Sequence, residues 1–241
     1  MRKVFLGGAL VCALSLAITG TAFATTTTMN ASMKASPAKA GTKKKPRPTA
    51  LTLGIEGGTT TGTGQPAPST RLKVMLPKGF VWNGKLWAKK ARCSVSDAVR
   101  KHSASACPAK SKIGKGHVTA LASNGNLVEE LDVTAFVTTT GDLGLFLKGD
   151  SPLPIGTMIV GKVKGRTIDV AIPLNVQEPV SGVKSGIKTL KFTLNGKTKV
   201  KGKSRGILET TSCSGGKWTG QVTNILQDGS LTQKVSTPCH K

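Results

Sequence analysis

From Ala50 to the C-terminus, apolar residues return at every second position and stop at turn signals. A chain written with that period presents one apolar face per extended strand, so it buries surface as sheet rather than as helix. Leu51, Leu53 and Ile55 make one such run, and Leu72, Val74 and Leu76 make another that ends at Pro77-Lys78-Gly79. Leu131, Val133, Ala135 and Val137 form a third, and a Gly141-Asp142 turn leads from it to Leu143, Leu145 and Leu147, which predicts a hairpin. The sum is an all-β chain, a mainly antiparallel β-sandwich of roughly nine to eleven strands. The ~190 residues from 50 to 241 fit a single domain of that class. One stretch departs from the pattern: Ser94-Val95-Ser96-Asp97 is a capping box followed by helix formers, which predicts one short helix before Cys107-Pro108.

Two hairpins are predicted in register. A two-residue loop at Lys164-Gly165 sets Ile159 opposite Val170 and Gly161 opposite Ile168, leaving Lys162 opposite Thr167 and Val160 opposite Asp169. Further on, a two-residue Asn195-Gly196 loop would set Leu190 against Lys201, so a three-residue loop from Leu194 to Gly196 is expected instead. That register places Leu190 opposite Val200 and Lys191 opposite Lys199. Lys197, Lys199, Lys201, Lys203 and Arg205 then project from one face, with Lys191 beside them. Such a row suits an anionic polymer, and it equally serves as an edge guard against aggregation.

The first residues form a leader for export. Arg2 and Lys3 precede an apolar run from Val4 to Ile18, and Ala22-Phe23-Ala24 supplies the small-residue cleavage site, so residues 1–24 are read as a signal peptide and Thr25 as the mature start. The run is too short to span a bilayer, and Cys12 lies inside it rather than at the cleavage point, which argues against an anchor or a lipid. Of 35 Lys and Arg against 11 Asp and Glu, the leader takes two cations and leaves +22. Residues 25–49 are rich in Thr, Ala, Ser, Lys and Pro, include Lys43-Lys44-Lys45-Pro46-Arg47, and are expected to form a disordered basic tether. Cys93, Cys107, Cys213 and Cys239 remain, an even number that in an exported chain points to two disulfides. Three pairings are open; the local one, Cys93 with Cys107 and Cys213 with Cys239, closes two compact segments.

Motifs for chemistry are lacking. His102, His117 and His240 are not at ligand spacing, and Glu129, Glu130 and Asp132 lack the Asp/Asn/Gly spacing of a calcium loop, so no metal or other cofactor is expected. Ser212-Cys213-Ser214-Gly215-Gly216 reads as a turn around a structural cysteine rather than a nucleophile elbow, and no catalytic residues are assigned. The absence of tyrosine and the scarcity of other aromatics disfavour nucleic acid as a partner. Trp82 and Trp87 are the candidates for stacking on sugar rings, with core packing the plainer reading.

Leu72-Lys73-Val74-Met75-Leu76-Pro77-Lys78-Gly79-Phe80, then Cys93-Ser94, then Cys107-Pro108-Ala109-Lys110-Ser111-Lys112-Ile113-Gly114-Lys115-Gly116, resembles a group of uncharacterised exported proteins from actinobacteria. The resemblance implies a secreted β-sandwich and carries no activity or site residues. The expectation is a non-catalytic protein, secreted or associated with the cell envelope, that binds anionic polymers through its lysine-rich face. A carbohydrate-binding module or glycan-active enzyme, and a purely structural surface protein, are the alternatives.

Overall fold

The computed structural model describes residues 26–62 and 64–241; the expected leader and the cleavage site lie outside them. Among the described residues the chain runs through β1 (Thr27–Ser36), β2 (Arg47–Pro48), β3 (Ala50–Thr59), β4 (Ser69–Met75), β5 (Phe80–Trp82), α1 (Val95–Arg100), β6 (Lys112–Ala122) and β7 (Leu127–Val137). It continues with β8 (Leu143–Gly149), β9 (Ile155–Lys164), β10 (Thr167–Ala171), α2 (Leu174–Gln177), β11 (Ser185–Leu194), β12 (Lys197–Val200), β13 (Lys203–Gly206), β14 (Leu208–Thr210), β15 (Lys217–Leu226) and β16 (Ser230–Pro238). The all-β expectation holds. No helix among the described residues is long and apolar enough to cross a membrane.

Eleven strands form one sheet in the order β1-β3-β11-β6-β7-β8-β9-β10-β4-β15-β16, and every neighbouring pair is antiparallel. The faces expected of a sandwich are thus parts of one sheet that curls until its edges meet, as the right-handed twist of strands allows. An odd number of alternating strands leaves β1 and β16 pointing the same way, so an antiparallel ladder cannot join them. Side chains do so instead: the Ala31 amide donates to Gln233 Oε1 at 2.6 Å and the Ala35 amide to Thr237 Oγ1 at 3.3 Å. At the end of this seam a parallel backbone bridge forms, with Ala40 N donating to His240 O at 2.8 Å and His240 N to Ala38 O at 3.1 Å. The wall is apolar inside and carries Arg71, Lys115, Lys162 and Lys234 outside, the reverse of a barrel that faces lipid.

The expected tether is instead β1. Thr27, Ala31, Met33 and Ala35 are buried, whereas Thr28, Asn30, Ser32 and Lys34 are exposed, and the strand pairs with β3 along its whole length. Apart from Met33 its inward residues are small, which hides the alternation in a segment dominated by Thr, Ala and Ser. The folded unit therefore begins near Thr27 rather than Ala50. Lys43, Lys44 and Lys45 sit in a bend closed by reciprocal backbone bonds between Thr42 and Lys45.

The hairpin from Leu131 to Leu147 forms as expected, with Val137 opposite Leu143. In the next hairpin the turn is one residue later than expected: Lys164 pairs with Thr167, so Gly161 faces Val170 and Lys162 faces Asp169. Gly165, at φ +61°, occupies the first central position, where a type II′ turn requires glycine. Moving the turn by one residue keeps each side chain on its expected face while changing its partner by two.

The register expected after β11 is overturned. Leu190 lies between Ile55 of β3 and Val118 of β6, and Lys191 lies between Gly54 and His117. Both edges of β11 are thus occupied, and no room remains for β12 beside it. The chain leaves the sheet at Asn195-Gly196, whose amides both donate to Ile113 O at 2.9 Å. Gly196 is needed for close approach, since a Cβ there would sit 2.6 Å from the Cα of Ile113. The hairpin forms later, between β12 and β13, around Lys201 and Gly202 at φ +50° and +76°.

Two disulfides hold the excursions in the expected pairing, Cys93–Cys107 and Cys213–Cys239. The first loop contains α1, capped by Ser94, whose hydroxyl accepts from the Asp97 amide at 3.4 Å. It lies on the outside of the barrel, where Ala98 packs with Phe136, Phe146 and Met158 from β7, β8 and β9. Fully burying such side chains contributes about 1.5–3 kcal/mol each.

Candidate functional site

The lysine row does not form one face. Across the β12–β13 ribbon Lys197 faces Gly206 and Lys199 faces Ser204, whereas Thr198 faces Arg205 and Val200 faces Lys203. Cross-strand partners share a side, so Lys197 and Lys199 project one way and Lys203 and Arg205 the other, with Lys201 at the tip. The tight turn reverses the chain, which the extended-strand reading did not allow for. Lys191 belongs to the barrel wall beside His117. Arg205 is engaged with Glu209, at 2.8 Å from Nε to Oε1 and 2.7 Å from Nη2 to Oε2.

The two tryptophans do not make a platform either. Trp87 is 2% exposed and donates to Lys110 O at 2.9 Å, so it is a core residue. Trp82 is half-buried and donates to Gly141 O at 2.8 Å. It borders a shallow recess of about 280 Å³ with Lys85, Thr140, Asp142 and Val163. There the Asp142 carboxylate already accepts from the Val163 amide at 2.9 Å and the Thr140 hydroxyl at 2.7 Å. Its polar groups are spent on the fold.

Among the histidines, His117 is bonded through Nε2 to Glu130 at 2.5 Å and through Nδ1 to Asp132 at 3.2 Å. Those bonds, the one to Glu130 first, raise the His117 pKa. The same contact lowers that of Glu130. The cluster lies on the outer wall in solvent. No group of three or more metal-ligating side chains occurs among the described residues.

The feature that sequence reasoning missed is inside. A cavity of about 110 Å³ lies within the barrel, lined by inward side chains of β3, β4 and β6 through β11. The lining is almost wholly apolar. Leu145 and Leu190 sit mid-strand between buried neighbours yet remain only half-buried, because their free surface faces this space. At one end Ile172 and α2, from the connection between β10 and β11, line it. Val176 and Gln177 of α2 reach the cavity, while Leu174 points outward and is 65% exposed.

Polar groups gather at that end. Ser69, on the first residue of β4, and Ser185, on the first residue of β11, both line the cavity. Ser69 is 4% exposed and its hydroxyl has no hydrogen-bond partner. Glu129 lies on the inward face of β7, one step nearer this end than Leu131, and is 2% exposed. Neither of its carboxylate oxygens has a partner. Burial raises its pKa; the Ser185 hydroxyl works against the rise without reaching hydrogen-bond geometry at either oxygen. Gln65, which does not line the cavity, donates its side-chain amide to Lys184 O at 2.9 Å and leaves Oε1 unpartnered.

Fold and site together define an antiparallel barrel with an internal apolar cavity that carries Ser69 and Ser185 at one end. No family model matches the chain, and no curated protein matches it.

Proposed function

We propose that this is an exported, non-catalytic binding protein whose barrel holds a small apolar ligand. The observation that carries the reading is the cavity, since a close-packed interior leaves few voids larger than a water molecule. An apolar cavity of about 150 Å³ in another protein stays dry and takes up benzene, so the space here suits a ligand of about that size or smaller. Two disulfides support the exported part of the reading, because such bonds persist in oxidising compartments. Xenon and toluene titrations followed by methyl NMR test it. Saturable shifts confined to cavity methyls are expected, and Leu145→Phe should abolish them by filling the space. If no apolar probe causes saturable shifts, the reading fails.

A second reading, association with anionic polymers, rests on the excess of cations and on the exposed Lys197, Lys199, Lys201 and Lys203 at the ribbon. Binding there would be non-directional attraction around a ribbon tip rather than docking on a flat face. Retention of the mature protein on an acidic wall polymer, measured against salt, tests it. Reversing Lys199 and Lys201 together should abolish most of the retention, and unchanged retention at every salt concentration would refute it.

A further inference from the structure

We propose that the cavity's ligand is a neutral apolar molecule bearing a hydroxyl group, and that its hydroxyl seats at the Ser69, Ser185 and Glu129 end. The inference rests on the cavity reading above and adds the chemistry of the head. Its basis is which atoms are left without partners. Buried polar groups are nearly always paired, and an orphan costs its full desolvation, so the unpartnered Ser69 hydroxyl on the cavity wall and the unpartnered Glu129 beside Ser185, which also lines it, point to something that satisfies them.

The orphans share one character. Both Glu129 oxygens accept hydrogen bonds, and Ser69 Oγ can accept one. The matching ligand group is therefore a donor. Three kinds of head can be compared. A carboxylate would bring more acceptors to acceptors and a second negative charge towards Glu129. An ammonium donates well, but it must approach a mature chain of net charge +22 and lose its own hydration on entry. A neutral hydroxyl donates without either penalty, and it suits Glu129 in either protonation state, since a carboxyl group keeps acceptor capacity when protonated.

Val176 and Gln177 of α2 complete that end of the site. The polar end thus lies beside α2, and the ligand's apolar body extends towards Leu145 and Leu190.

Phenol and toluene differ only by a hydroxyl for a methyl, so their affinities for the mature, disulfide-bonded protein isolate the head. Methyl NMR titration should show phenol binding roughly tenfold more tightly than toluene, the worth of one satisfied orphan acceptor. Ser69→Ala and Glu129→Gln, tested singly, should each narrow that preference, and Glu129→Leu with Ser69→Ala should bring the two ligands within about twofold while toluene still binds. Toluene binding without preference for phenol overturns the hydroxyl inference and leaves the cavity reading intact. Benzylamine or benzoate binding more tightly than phenol overturns the neutral head. If neither toluene nor phenol binds, the cavity reading itself has failed. Glu129→Gln keeps the shape and loses one of the two acceptors, so it maintains the test if the leucine variant does not fold.

Discussion

Arg205 grips Glu209 with two nitrogens, Nε at 2.8 Å and a terminal nitrogen at 2.7 Å, and so ties the β12–β13 ribbon to the small sheet of β2, β14 and β5. Glu209 is 1% exposed, while the Arg205 side chain keeps about a third of its surface in water at 33%. Burial alone would raise the Glu209 pKa, but the bonds from Arg205, Asn83 and the Gly206 amide outweigh it and hold the carboxyl below its ordinary range.

Removing the arginine should therefore destabilise the fold. Breaking a fully buried pair costs about 3–5 kcal/mol, and the partial exposure here lowers the expectation for Arg205→Ala to about 2–3 kcal/mol in urea unfolding at pH 7. Because the folded pKa is depressed, this stabilisation is present above the unfolded carboxylate value and is lost as pH falls through the folded one. A variant as stable as the parent would show that the pair is ornamental.

Glu129 runs the opposite way. Its folded pKa is raised, so the native state binds its proton more tightly than the unfolded chain, and stability falls as pH rises from the ordinary carboxylate range through the raised value. Glu129→Gln should abolish that part of the pH dependence and stabilise the protein at pH 8 relative to pH 5. Parallel stability curves for parent and variant across that range would contradict the assignment.

His117 gives a smaller signal of the usual sign for histidine. Its raised pKa supplies stability that is present below the unfolded value and is lost as pH rises through the folded one. The ring is 49% exposed, so His117→Gln should cost at most about 1 kcal/mol at pH 5.5 and almost nothing at pH 8.5. NMR titration of the ring should show the raised midpoint, and Glu130→Gln should lower it.

Gly186→Ala should loosen the packing of segment 64–68 against β11. The added methyl would meet Pro66 O, backbone rather than a flexible side chain, so that segment must shift. A loss of about 1–3 kcal/mol is expected, with faster hydrogen exchange and proteolysis at 64–68 and the start of β11. Unchanged stability and exchange there would show that the close approach does not constrain the segment.

The sequence revealed what repeats locally and concealed what depends on distance. Alternation exposed the strands, Ser94 the helix cap, and four cysteines the two staples, each within a span of a few residues or by parity of count. Face assignments survived even where partners did not: Ile168 and Val170 point inward whether the turn is centred on Lys164-Gly165 or on Gly165-Arg166. Leu190 was placed beside Val200 because nothing in its neighbourhood announces that β3 and β6, far away in sequence, occupy both of its edges. The lysine row failed with it, since one positive-φ turn at Lys201-Gly202 reverses the strand. The cavity was illegible for a related reason. A leucine that lines a void and one that fills a core have the same letter and the same period, and Glu129 looked like part of an acidic run because its inward direction follows from strand phase rather than from its neighbours.

The meeting of β1 with β16 sets an order of events. Among the described strands β1 is the first to be synthesised and β16 the last, so the ring cannot shut until β16 has been made. Until then β1 must wait with one flank unsatisfied, a condition that invites pairing with foreign chains. Its outward Asn30, Ser32 and Lys34 and its small inward alanines make that flank poorly adhesive. The weak apolar signature that made β1 resemble a tether is, for a strand that is early to emerge and late to be joined, a safeguard during assembly.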